Sequence, residues 1–235
     1  MNYTVIDKEN LLSYRNLPTN ESFVFMYSGG KDSGLALSKA LEVGKAVSLI
    51  HCLDSDKNES LFHEQKQSLI DIQAQKLRIP IIYVNYKWWV RWDKITKLYR
   101  DFCRQGVKYV VFGDLNSLDN IIIQVKLCKS AGMIPCFPLY LVPYDDLITE
   151  LENRKIKSII TTINHPSIDT KWLGEKYDRL AYQHFKSIGI DPFGENGEFH
   201  TTLVDADCFD SPIQYNLTIT NERRACINSF TEDAK

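Results

Sequence analysis

The chain has 235 residues, 44% of them hydrophobic and 25% charged, long enough to bury a core without disulfide or metal staples. Its 28 basic and 30 acidic side chains leave a net charge of −2, so there is no global basic field to bind nucleic acid through bulk charge. No apolar run approaches the roughly 20 residues that a membrane-spanning helix needs.

Residues 1–20 read as an appendage, and the opening MNYTVIDKEN, charged early, lacks the pattern of a secretory leader. The bulky run 23–27 predicts a buried strand, broken by Ser28-Gly29-Gly30. A helix follows over 32–43, with Leu37, Ala40 and Leu41 on one face and Gly44 as its stop. Next come a strand over 46–53, a helix over 61–78 marked by Ile70, Ala74 and Leu77, and a strand over 81–84 after Pro80. Trp92, Ile95, Leu98, Tyr99 and Phe102 fall at helical spacing, and Gly106 leads into a strand over 108–112. Strands alternating with helices at this spacing predict a parallel sheet with helices on both faces.

Beyond a lobe boundary near 130 the rhythm loosens. Segments 133–137, 156–163 and 199–204 are strand-like, and Tyr177, Leu180, Ala181, His184, Phe185 and Ile188 form a helical stripe. Segment 214–220 alternates as an edge strand or hairpin arm. The expected organisation is an appendage (1–20), a first lobe (21–130), a smaller α+β second lobe (131–220) and a tail (221–235) with a frayed end. Six cysteines, at 52, 103, 128, 136, 208 and 226, form no C-x-x-C pair and read as reduced, mostly buried thiols.

The strongest chemical signal is Ser28-Gly29-Gly30-Lys31-Asp32-Ser33, between a predicted strand and a predicted helix. Backbone N–H groups at a helix N-terminus favour an anion there. The glycines let phosphate oxygens approach the backbone, the serines add hydroxyl donors, and Lys31 adds a cation. The string is neither a Walker loop nor a dinucleotide fingerprint. The plain alternative is a glycine turn capping a helix. A second string, Asp191-Pro192-Phe193-Gly194-Glu195-Asn196-Gly197-Glu198-Phe199-His200-Thr201, sets carboxylates, an amide and an imidazole on a glycine-bounded loop. Its plain alternative is a polar hairpin turn with Asn196-Gly197 at the tip.

SGGKDS resembles the pyrophosphate-binding loop of ATP pyrophosphatases, which split ATP into AMP and pyrophosphate, and the 191–201 string resembles the C-terminal signature of the diphthine–ammonia ligase family. Ser60-Leu61-Phe62-His63 and Val111-Phe112-Gly113-Asp114 resemble that family's steps after the second and fourth strands. The resemblance runs from about residue 23 to 212. It implies a five-stranded parallel sheet with helices on both faces, of the adenine nucleotide alpha hydrolase-like kind. Residues 21–130 would be the ATP-binding lobe and 131–220 the substrate lobe. It further implies that an acceptor carboxylate, in the family one carried by a translation elongation factor, attacks the α-phosphate of ATP. Ammonia would then displace AMP from the acyl-adenylate.

On this reading Ser28, Gly29, Gly30, Lys31, Asp32, Ser33, Gly113 and Asp114 bind ATP, and Glu195, Asn196, Glu198 and His200 serve catalysis or the acceptor. Among the last four, Glu198 is the expected general base. Mg2+ is the implied cofactor and Asp32 its ligand. A cytoplasmic location and no membrane partner go with it.

The sequence departs from the family twice. Residues 118–125 read LDNIIIQV, without the usual arginine, and Leu173-Gly174 is followed by Glu175 rather than arginine. The expectation is that diphthine is a poor acceptor and a smaller or less anionic carboxylate a better one. Two rival readings use the same loop: a tRNA thiolase, which would want paired cysteines and an RNA-binding face, and a non-enzymatic ATP sensor. The tryptophans at 88, 89 and 92 read as loop packing, His184 as a core histidine, and Asn164-His165-Pro166 as a strand end that could reach the site.

Overall fold

The computed structural model describes residues 8–54, 56–57, 59–60, 65–85 and 91–229. Five parallel strands form the first sheet: β1 (Ser22–Met26), β2 (Lys45–Asp54), β4 (Ile81–Asn85), β5 (Tyr109–Val111) and β6 (Ile134–Cys136). They lie in the order β4-β2-β1-β5-β6, and a two-residue strand, β3 (Glu59–Ser60), pairs antiparallel with the end of β2. This is the parallel α/β architecture expected from the alternation of strand and helix patterns.

Successive side chains of a strand point to opposite faces, and β1 shows the result. Phe23, Phe25 and Tyr27 join a core with α2 (Lys31–Val43), α3 (Gln67–Leu77) and α6 (Tyr144–Asn153). Val24 and Met26 face α4 (Arg91–Arg104) and α5 (Leu118–Ala131) on the other side. Each fully buried Phe, Leu or Ile of these layers contributes about 1.5–3 kcal/mol.

The chain leaves β1 toward β2 and β4, then returns to the other side of β1 through β5 and β6. The loops after β1 and β5 are therefore neighbours at the carboxyl edge of the sheet. Open α/β sheets bind their ligands at this point of divergence.

The second sheet is antiparallel, in the order β8-β7-β10-β9, with β7 (Lys157–Ile163), β8 (Phe199–Asp205), β9 (Tyr215–Asn221) and β10 (Arg224–Ser229). Its apolar face and α7 (Arg179–Ser187) close onto the first core through Ile160, Phe185 and Leu203. Among the described residues, no helix is long and apolar enough to cross a membrane.

Several expectations differ from the structure. Strand β10 runs through the segment expected as a tail and buries Ala225 and Ile227 between β7 and β9. Six residues give too short a period to stand out from their charged neighbours. Part of the expected appendage is packed: α1 (Lys8–Leu12) buries Leu11, and Tyr14 accepts the Phe137 N–H through its carbonyl at 2.8 Å.

Helix α3 begins at Gln67, later than the expected 61. The Ser60 N–H bonds the Gln65 carbonyl at 2.7 Å, and Glu59 bridges Lys66. The signature residues 61–63 and the tryptophans at 88 and 89 lie outside the described residues. Helix α6, hidden in an acidic stretch, was not expected.

Candidate active site

Ser28 leaves β1 and the next four residues carry the chain into α2. Gly29 holds a φ of +84°, where a side chain is strained. A Cβ there would also lie 2.7 Å from Ile70 Cδ1 and 2.8 Å from Gln73 Oε1. The loop is tied within itself, since the Ser28 N–H donates to Ser33 Oγ at 3.1 Å and the Gly30 N–H to Ser28 Oγ at 3.4 Å. It is also tied to the second sheet. The Lys31 N–H donates to Thr201 Oγ1 at 3.2 Å, the Leu203 N–H donates to the Gly29 carbonyl at 2.8 Å, and Gln73 Nε2 bridges the Gly29 and Leu203 carbonyls. Helix α2 has no side-chain cap, so its N-terminal field is aimed at the loop.

The step after β5 comes equally close. A Cβ on Gly113 would lie 3.0 Å from Ser33 Cα and N, both backbone atoms. Only a glycine lets the two loops touch in this way, and the contact brings Asp114 within electrostatic range of Asp32.

Lys31 is placed differently from its expected part as a phosphate cation. It is 3% exposed, and its Nζ donates to the Phe193 carbonyl at 2.6 Å and to Asp32 Oδ2 at 2.8 Å. Three rings surround it, with centroids of Tyr177, Phe193 and Phe199 at 4.9, 5.1 and 5.3 Å. Aromatic faces attract a desolvated cation, so Lys31 fastens the 191–200 loop to the SGGKDS loop.

That loop is braced from outside as well. Asp191 Oδ1 accepts the N–H groups of Phe193 and Gly194, while its Oδ2 accepts the Tyr144 hydroxyl at 2.7 Å. The Tyr177 hydroxyl donates to the Pro192 carbonyl at 2.5 Å. On the far side, the N–H groups of Asn164 and His165 both bond the Glu198 carbonyl, and Asn164 Nδ2 donates to the Gly197 carbonyl.

The four expected acceptor-side residues separate into two groups. Glu195 accepts the Asn116 N–H at 3.0 Å and lies within electrostatic range of Asp32 and Lys31. Glu198 instead spends both oxygens within its own turn, on the Asn196 N–H and Asn196 Nδ2, and is 9% exposed. Asn196 stands at the exposed tip. His200 sits in β8 opposite Thr162, its imidazole pushed down to about 4 by burial and by the charge of Lys31.

Carboxylates gather where the three segments meet. Burial raises Asp32, opposed by its pairing with Lys31 and reinforced by Asp191. Burial lifts Asp114 to about 6, countered by its own backbone amide and aided by the charge of Asp32. Burial, then Asp32, lifts Glu195 to about 7 against the pull of the Asn116 N–H and Lys31. Asp32 Oδ1 is buried without a hydrogen-bond partner. Among the described residues no three ligating side chains converge as a preformed metal centre. A magnesium ion needs only one or two carboxylates when phosphate and water complete its shell, and the bare Asp32 oxygen beside Asp114 fits that demand.

Gln73, Asn116 and Tyr144 serve the site without having been singled out. Gln73 carried a signal, as a polar residue on the buried Ile70–Ala74–Leu77 face of α3. The others had none, because their partners are distant in sequence.

A parallel α/β sheet with a glycine loop at its point of divergence, joined to a buried polar loop of a second sheet, is an arrangement suited to holding a phosphorylated ligand. Residues 22–135 match the diphthamide synthase N-terminal domain and residues 144–227 the diphthamide synthase C-terminal domain. The chain belongs to this diphthamide synthase, or diphthine–ammonia ligase, family. Among solved structures, it is similar to the U34-tRNA thiolase NcsA of Methanococcus maripaludis with its [4Fe-4S] cluster, at 12% identity and a TM-score of 0.38, over 61% of this chain and 60% of the thiolase. It thus spans less than two thirds of that protein's length. It is also similar to a predicted subunit of tRNA methyltransferase from Methanocaldococcus jannaschii, at 14% identity and a TM-score of 0.41, over 82% of this chain and 100% of the other. No curated protein matches the chain.

Proposed function

We propose that the chain is an ATP-dependent carboxylate–ammonia ligase of the cytoplasm that adenylates an acceptor carboxylate, releases pyrophosphate, and forms the amide with ammonia. The observation that carries this reading is the joining of the two motif loops through Lys31 and the Phe193 carbonyl at 2.6 Å. An adenylate made at one loop would meet the side chains of the other without crossing solvent.

In this reading Ser28, Gly29, Gly30 and Ser33, with the α2 N-terminus, bind the β- and γ-phosphates and steady charge on departing pyrophosphate. Gly113 keeps the neighbouring loop in contact. Asp32 and Asp114 would hold Mg2+, which supplies positive charge to phosphate oxygens in a cluster whose own cation, Lys31, is already engaged. Lys31 sets the relative position of the loops. Glu195, at about 7, is matched to taking a proton from the attacking nitrogen near neutral pH. This assigns Glu195 the general-base role expected of Glu198. Glu198 and Asn196 shape the turn, and His200 stays neutral.

Three of the six thiols are poor candidates for a sulfur nucleophile. Burial pushes Cys136 and Cys208 up to about 12 and Cys128 higher still, the wrong direction for a nucleophilic thiolate. The test is product analysis with Mg-ATP, ammonium and a panel of carboxylates. AMP, pyrophosphate and an amide are expected. ADP and phosphate as main products, or sulfur incorporation into tRNA, would replace the proposal.

A further inference from the structure

Tyr144, the first residue of α6, links the loop after β5 to the 191–200 loop through its hydroxyl. It donates to Asp191 Oδ2 at 2.7 Å and accepts from Asn116 Nδ2 at 2.8 Å. Both partners are engaged again in the same two loops. Asp191 Oδ1 holds the N–H groups of Phe193 and Gly194 at 2.8 and 3.1 Å, and the Asn116 N–H donates to Glu195 Oε2 at 3.0 Å. The path Asp191–Tyr144–Asn116–Glu195 therefore leaves the 191–200 loop and returns to it, closing a circuit.

The directions along this circuit are fixed. An ionised carboxylate only accepts, so the phenol proton is spent on Asp191. Burial, and after it the bond to Asp191, push the Tyr144 hydroxyl well above its ordinary range, which keeps that proton in place. The phenol oxygen is then left to accept, and the Asn116 amide turns its nitrogen to it. With the side chain held there, the backbone N–H of the same residue is set toward Glu195.

The Tyr144 ring does separate work, packing on Phe193 with centroids 4.8 Å apart. Leu115, the residue before Asn116, is anchored by its carbonyl on the Leu141 N–H at 3.1 Å. Asn116 itself is exposed. Among the described residues the Glu195 side chain makes no hydrogen bond besides the one from Asn116, so its direction depends on a single donor.

We propose that Tyr144 is a positioning residue: its hydroxyl, acting through Asn116, aims the Glu195 carboxylate into the site. The inference rests on the carboxylate–ammonia ligase reading, in which Glu195 takes the proton of the attacking nitrogen, and it adds the residue that holds this base in place. Proton transfer needs heavy atoms about 2.6–3.2 Å apart, and a misplacement of about 1 Å can cost about a hundredfold in rate.

The test is NMR hydrogen exchange at single amides of the full chain, followed by steady-state turnover. Tyr144→Phe keeps the ring on Phe193 and removes the hydroxyl alone. The Asn116 N–H should lose protection by about tenfold or more, while the Leu141 N–H, on the Leu115 carbonyl of the same loop, keeps its own. Asn116→Ala, at an exposed position, opens the circuit at its other bond and should expose the N–H of position 116 equally. The two changes together should cost no more than either. In turnover, Tyr144→Phe should lower kcat by about tenfold and leave the KM for ATP unchanged, since the hydroxyl bonds no residue of 28–33. Unchanged protection at Asn116 overturns the proposal. So does an equal loss at Leu141, which makes the hydroxyl a general brace of the fold, and so does an unchanged kcat once protection is lost. Exchange is read without turnover, so absence of amide product from the unmodified chain defeats the ligase reading and leaves the exchange result to decide whether the circuit holds Glu195.

Discussion

Replacing Lys31 by methionine keeps the length of the side chain and removes its charge. The buried ammonium makes one bond to the Phe193 carbonyl at 2.6 Å and one to Asp32 at 2.8 Å, among three aromatic rings. A hydrogen bond to a charged group is worth about 1.5–3 kcal/mol, and a desolvated cation–π contact about 2 kcal/mol. These overlap with the cost of leaving Asp32 without its partner, about 3–5 kcal/mol for a broken buried pair. The expected loss at pH 7.5 is therefore about 3–5 kcal/mol, a fall of roughly 6–20 °C in Tm for a chain of this size.

The pH dependence gives the reasoning a second handle. Asp32 already lies above its ordinary range, and Lys31 is what pulls it back down. Without Lys31 it rises further, so the folded variant binds a proton more strongly than the unfolded chain. Stability held this way is present at low pH and lost as pH rises through the folded value. The deficit of Lys31→Met should narrow between pH 7.5 and pH 5. The double change Lys31→Met with Asp32→Asn should be more stable than Lys31→Met alone at pH 7.5. Urea unfolding followed by circular dichroism measures all three. A loss below about 1 kcal/mol, or a double variant no better than the single, would refute the latch.

Three further outcomes are expected. Gly113→Ala places a methyl 3.0 Å from the Ser33 backbone and should weaken Mg-ATP by about tenfold in calorimetry, the scale of one charge-assisted hydrogen bond lost as the loops separate; unchanged affinity would mean that the loops need not touch. Glu195→Gln should lower amide formation by roughly a hundredfold and abolish the rise of rate through about pH 7, whereas Glu198→Gln should act on stability more than on that pH limb. The raised Glu195 carboxyl favours folding fully below its ordinary range and loses that contribution as pH rises through about 7, so Glu195→Gln should raise Tm at pH 8 and not at pH 4; a gain at both would point to packing instead. Cys103→Ser and Cys128→Ala should keep activity within about tenfold, with about 1 kcal/mol lost at the buried Cys128, and complete loss in a folded variant would favour thiol chemistry.

The sequence by itself determined β1, β2, β4 and β5 of the first sheet and the helices α2, α3 and α4 between them, because each strand carries a local apolar run and each helix a repeating stripe. The crossover helix α5 was not expected, and β6, legible as a strand, was assigned to the second lobe and joins the first sheet only through its pairing with β5. The sequence also made legible the SGGKDS loop, a contiguous segment between a strand and a helix, and the polar string at 191–201. Local pattern could not tell which of those polar side chains turn toward other segments and which are used within their own turn. Lys31 is a surface-type residue by composition, and only the packing of Tyr177, Phe193 and Phe199 from the second sheet makes a cage for it. Glu195 and Glu198 are indistinguishable as letters. One meets the Asn116 N–H from 79 residues away, and the other is consumed within its own turn. Strand β10, hidden in an apparent tail, acquires its order from β7 and β9. Proton affinity and ion pairing depend on what surrounds a group in space, and for these residues the surroundings come from parts of the chain that sequence proximity does not connect.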